Sequence, residues 1–167
     1  MLSYLPSIII LGIALITAFN YTKKRYPHLE SQSERNSAAN VLSITVVLQC
    51  IHFIEETITG FNVRLGQLLN IPGMSFTFFV MFNVVWIGIW IVSIFGLRSG
   101  NAFAFFAAWF LSIAGVFNGL LHPLLSIISG SYFPGTISSP FVAAASIWLW
   151  KKLNNVTNRL KNVKTLK

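Results

Sequence analysis

Three ionisable residues in this chain stand close together where an apolar run would be expected: His52, Glu55 and Glu56, within Ile51-His52-Phe53-Ile54-Glu55-Glu56. At about 100° per residue on a helix, they share an arc of about 100° and can converge on one point. A histidine beside carboxylates makes a compensating hydrogen-bonded cluster or a metal site, with a protonated glutamate in a low-dielectric pocket as a third option. The bland reading is polar glue between helices, although Ser, Thr or Asn ordinarily does that work. A second set follows in Asn118-Gly119-Leu120-Leu121-His122-Pro123, where Asn118 and His122 lie one helical turn apart and Pro123 predicts a kink. Tyr132-Phe133-Pro134-Gly135 adds a phenol and a flexible turn between two further apolar stretches.

The elements that carry these residues are nearly dictated by composition. Of 167 residues, 54% are apolar and 10% charged, whereas a soluble domain carries roughly a quarter charged residues. A hydrated globule is excluded. The expected fold class is all-α, a polytopic helical membrane bundle of about five transmembrane helices in one domain, residues 1–150. About 20 apolar residues cross the hydrocarbon layer, which places spans near 2–20, 41–59, 74–97, 102–129 and 139–152. The first reads as an uncleaved span, and residues 21–40 as a polar linker. The last span is expected to be short, so that the Tyr132–Gly135 loop dips inward and caps the site.

Twelve Lys and Arg face four acids, Glu30, Glu34, Glu55 and Glu56. The bases sit at span ends, so the partner they predict is a membrane surface and not nucleic acid. With the N-terminus outside and the C-terminus cytoplasmic, eleven of the twelve fall on the inner side and only Arg64 outside, as the positive-inside rule demands. Residues 153–167 space Leu153, Val156, Leu160 and Val163 as a basic amphipathic tail for anionic inner-leaflet lipid. Cys50, the only cysteine, is read as a packing residue.

Around His52, the residues Thr45, Gln49, Glu55, Glu56 and Thr59 form one polar stripe, with Val, Leu and Ile opposite. Because a charge at mid-bilayer costs on the order of 3 kcal/mol, the stripe is expected to face the bundle interior. Counting about 1.5 Å per residue from the span ends puts Glu55, Glu56, His122 and the weaker candidate Asn83 in one layer, roughly 5–12 Å below the outer surface.

The three motifs in this order, His52-x-x-Glu55-Glu56, Asn118-x-x-x-His122 and Tyr132-x-Pro134-Gly135, resemble the HXXEE family of small integral membrane proteins. The resemblance covers roughly residues 45–150. It implies the same site residues and a suspected enzyme, and adds little about chemistry.

The expected function is a membrane-embedded, metal-dependent enzyme, a hydrolase acting on a lipid-like or membrane-delivered substrate, in a bacterial cytoplasmic membrane. Its metal ligands are drawn from His52, Glu55, Glu56 and His122, and its catalytic groups from Glu55, Glu56, Asn118 and Tyr132. The cofactor is a divalent metal, zinc by its donors, since two histidines and one carboxylate with an open position form a known catalytic set. One Glu ligates and the other acts as base, and the spacing does not say which. The alternatives are a proton- or ion-coupled transporter, to which a homodimer would supply the missing symmetry, and a non-catalytic membrane partner protein.

Overall fold

Apolar runs broken by single turn-forming residues leave the backbone little choice but to close its hydrogen bonds within helices. The junction at Gly100-Asn101 shows how. Gly100, at φ 78°, closes one helix by donating to its last-turn carbonyls, and Asn101 Oδ1 accepts from the amides of Phe103 and Ala104 to open the next. The computed structural model describes residues 5–25 and 32–158. Among these there are six helices and no strand: α1 (Leu5–Arg25), α2 (Gln32–Thr59), α3 (Phe61–Leu69), α4 (Phe76–Ser99), α5 (Ala102–Ser129) and α6 (Ser139–Asn158). Three of them, α2, α4 and α5, are long and apolar enough to cross a membrane.

Helices α2, α4, α5 and α6 close a ring in which each packs on the next, and α1 lies outside against α5. That ring sets α2 and α5, the carriers of the two histidines, diagonally across one interior. The α5–α6 seam is tight because small residues face each other. Gly115 lies against Ser146 and Val142, and Gly119 against Ala143, while Ser112 donates to the Ser146 carbonyl at 2.8 Å. Below the site the interior is filled by Trp109, Phe105, Phe110, Leu42 and Leu149. Trp90 satisfies its indole by donating to the Ala107 carbonyl at 3.0 Å.

Helix α2 is patterned inside out. Ile44, Val47, Ile51, Ile54 and Ile58 recur every three or four residues and are exposed, whereas Thr45, Gln49, His52 and Glu56 are buried. The expected polar stripe does face the interior, although Glu55 and Thr59 sit at its half-buried margin.

Three expectations are revised. Residues 21–40 are mostly helical: α1 runs on to Arg25 and α2 begins at Gln32, because Lys, Arg, Glu, Gln and Ala are good helix formers. A short helix, α3, occupies part of the stretch left unassigned between 59 and 74. It is set off from α2 by Gly60 at φ 79° and held by a two-way clamp: the Met74 amide donates to the Asn62 carbonyl at 2.7 Å, and Asn62 Nδ2 to the Met74 carbonyl at 3.2 Å. Finally, α6 passes position 152 and ends at Asn158 with 20 residues, about 30 Å at the usual rise. Leu153 and Val156 are buried in the bundle, so they are not free to lie on lipid. The rest of the expected tail, from residue 159, falls outside the described residues. Helix α5 matches the expected 102–129 span and continues through Pro123 to Ser129.

Candidate metal centre

His52 and Glu56 are four residues apart on α2, and His122 reaches them from α5 across the ring. His52 is fully buried, with His122 and Glu56 almost so. The imidazole rings meet edge to face, with centroids 4.7 Å apart. Their Nε2 atoms turn to the same carboxylate oxygen: Glu56 Oε1 lies 3.7 Å from His52 Nε2 and 3.4 Å from His122 Nε2. One donor atom from each residue can be chosen so that all lie within 4.8 Å of one another. Bonds of about 2.0–2.1 Å to a tetrahedral zinc would put ligand atoms about 3.3–3.4 Å apart, so two of the three edges are close to that spacing already.

The other ring nitrogens are held. His122 Nδ1 lies 2.6 Å from the Pro134 carbonyl, to which it can only donate, and this leaves Nε2 of the neutral ring with a free lone pair. His52 Nδ1 lies 2.8 Å from Ser138 Oγ. His52 Nε2 is buried and has no hydrogen-bond partner among the described residues, an expensive condition for a polar atom unless something binds there. A buried carboxyl group facing two imidazoles, with no Lys or Arg paired to it among the described residues, is likewise suited to a divalent ion. An outer carbonyl or hydroxyl fixing the far nitrogen of each histidine is the usual support of a metal site.

Both supports come from one segment. Residues 130–138 fold over the histidines, with Phe133 buried and Gly135 wedged against both rings. The expected inward dip is present, but α6 is not short; the loop is drawn in by hydrogen bonds. Thr136 bonds Ser126 at 2.7 Å and donates to the His122 carbonyl at 3.2 Å. Glu55 is the main anchor. Its Oε1 accepts from Tyr132 Oη at 2.7 Å and from the Ile137 amide at 3.0 Å, and its Oε2 from the Ser138 amide at 2.8 Å. Burial, and the carboxylate accepting its proton, raise the Tyr132 phenol above its ordinary value, so it remains a donor at neutral pH.

The sequence profile described as "Protein of unknown function with HXXEE motif" matches residues 43–149. The chain belongs to the HXXEE family. No curated protein and no solved structure matches it. The two adjacent glutamates of the family's eponymous motif are doing different things here. Glu56 turns inward to the histidines, while Glu55, expected among the ligands, is outside the donor trio and ties down the loop.

Of the other predicted residues, Asn118 is half-buried one turn before His122, and its amide makes no hydrogen bond among the described residues. Asn83 donates to the Phe79 carbonyl of its own helix at 2.9 Å, so its polarity is consumed locally. Two features were not anticipated. Ser138, which orients His52, looks like any loop serine. Phe61 of α3 places its ring 5.4 Å from that of His122 and 5.9 Å from that of Phe133, giving the site an apolar wall; the spacing of Phe61, Leu65 and Leu68 was the available signal. Removing the Ser138 hydroxyl tests the orienting role. Ser138→Ala is expected to weaken divalent-metal affinity about 10- to 100-fold with little change in helicity, as read by competition with a chromogenic chelator.

Proposed function

We propose that this chain is an integral membrane, metal-dependent hydrolase whose centre is His52, Glu56 and His122. The observation that carries the reading is the shared aim of the two Nε2 atoms at Glu56 Oε1, with both Nδ1 atoms held from behind. A divalent ion, zinc by its nitrogen and carboxylate donors, supplies an activated water and a Lewis acid when bound. The remaining roles belong to the chain. Glu56 ligates through one oxygen and keeps the other for a proton. Glu55, whose lone pairs are committed to the loop, is a positioning residue. The Asn118 amide and Tyr132 phenol are assigned to orienting substrate and to developing negative charge.

We infer five spans, α1, α2, α4, α5 and α6, with the N-terminus outside, in a bacterial cytoplasmic membrane; α3 lies at the outer interface. Supporting this, the basic segments gather at one end of the ring. Arg25 bonds Asn154 near the end of α6, Gln32 donates to the Arg98 carbonyl at 2.9 Å, and Arg98 donates to Asn40 at 3.2 Å. The site lies at the other end, among the outer ends of α2 and α5. The carrier alternative is weaker because the hydroxyls of Thr45 and Ser112, buried inward of His52, are spent on backbone carbonyls. Thr45 bonds the Val41 carbonyl of its own helix, and Ser112 reaches from α5 to the Ser146 carbonyl of α6, so neither hydroxyl is free to pave a path.

Elemental analysis of protein purified in detergent without chelator tests the centre. The wild type is expected to hold about one divalent ion per chain and a His52→Ala/His122→Ala double variant almost none. A wild type without stoichiometric metal, or a double variant holding as much, would overturn it.

A further inference from the structure

On the same end of the bundle as the His/Glu site, an open groove of about 350 Å³ runs between α3 and the α5–α6 loop. Arg64 and Gln67, three residues apart on one face of α3, form one side. Ser129, Ser131 and Tyr132 form the other. Arg64 is the only Lys or Arg between positions 36 and 97. It is exposed, and neither its guanidinium nor the Gln67 amide has a hydrogen bond or ion pair among the described residues. Both nearby acids are engaged, Glu55 with the loop and Glu56 with the histidines. The groove therefore offers a positive charge and a planar amide with no acidic group paired to them among the described residues. The wall also contains Leu68 and Ile128, and Ile128 is largely exposed, so apolar surface leads away from the charge.

We propose that this groove binds the phosphate headgroup of an amphiphilic substrate, with Arg64 as the specificity-determining cation and Gln67 as a second donor. The inference rests on the hydrolase reading and gives it a substrate class, a phosphate-headed lipid. Guanidinium matches phosphate oxygens in a planar, two-point fashion, and the apolar wall suits the first carbons of a chain. Tyr132 belongs to both places. It lines the groove and donates to Glu55 at 2.7 Å, and the ring of its neighbour Phe133 lies 6.3 Å from that of His122. A headgroup seated beside Arg64 is thus held against the loop that orients the metal ligands.

The test is calorimetric titration of the full chain in neutral-lipid nanodiscs with dihexanoyl phosphatidic acid, dihexanoylglycerol and inorganic phosphate. The phosphatidic acid is expected to bind at least about tenfold more tightly than the neutral diacylglycerol, and Arg64→Gln to remove about tenfold of that affinity. Arg64→Lys should keep part of it, and the diacylglycerol should be indifferent to either variant. Inorganic phosphate binding as tightly as the lipid, and equally lost in R64Q, keeps the phosphate site and makes free phosphate its source. Equal binding of phosphatidic acid to R64Q and wild type, or equal binding of the two lipids to wild type, overturns the proposal. Metal content is measured on the same samples and should not change in R64Q. Arg64-dependent binding to a metal-free wild type would leave the groove standing while the metal centre fell.

Discussion

Gly135→Ala is expected to empty the proposed metal centre and to lower the stability of the folded bundle, out of proportion to the single methyl group added. Gly135 sits at φ 87°, where an L side chain costs roughly 1–2 kcal/mol of backbone strain. A Cβ there would also lie 2.5 Å from His122 Nδ1 and 2.8 Å from His52 Cε1. Neither ring can retreat cheaply, because each is tied through its Nδ1 to Pro134 or Ser138. Overpacking of this kind adds about 1–3 kcal/mol. Gly130 is the internal control: it too has a positive φ, 63°, but a Cβ there would meet nothing within 4 Å. Gly130→Ala should therefore show the strain alone and keep its metal. Thermal unfolding and elemental analysis of the two variants decide the matter. Equal metal content and equal melting temperatures in both would sink the claim that Gly135 is there to let the loop touch the histidines.

The second large effect separates two neighbours of identical chemistry. Glu56→Gln removes the anionic member of the trio and is expected to lower metal affinity by more than the ~10–100-fold that losing an outer partner costs. Glu55→Gln should leave the ion in place. It replaces a carboxylate that accepts from Tyr132, Ile137 and Ser138 with an amide, half of which cannot accept at all. Each hydrogen bond to a charged group is worth about 1.5–3 kcal/mol, and the partial exposure of Glu55 brings the expected loss to the lower end of that range. The signature is local: faster amide exchange at residues 136–138, with exchange in the middle of α2 and α5 unchanged. If E55Q lost metal as completely as E56Q, the division of labour drawn here would be wrong.

How much of this was legible in the sequence depends on which force set each feature. The burial of His52 and Glu56 was readable because a histidine and an acid four residues apart in an apolar helix have only one inexpensive direction to point. The level of His122 followed from counting residues along spans. The distinction between Glu55 and Glu56 was not readable. One residue is about 100° of helix, and whether that turns a carboxylate inward or to the rim depends on where α6 and its loop come to lie. Ser138 was invisible for the same reason, since its importance is a tertiary contact with a residue 86 positions away. Helix α3 is hard to read because nine residues with Gly66 among them are too short to span a membrane and too short to be stable alone, and its helical state is secured by the clamp between Asn62 and Met74. The length of α6 was underestimated because Lys151 and Lys152 look like an end, although both are comfortable within a helix and the residues beyond them bury Leu153 and Val156.

The way residues 134–138 serve both imidazoles has a mechanical consequence. Pro134 holds one ring, Ser138 the other, and Glu55 fastens the stretch to α2. Lifting this segment to admit a molecule would release both rings at once, and the centre would come apart at the moment it was needed. The segment is a rivet and not a door. A molecule bound at the proposed centre would have to reach it with this segment still in place.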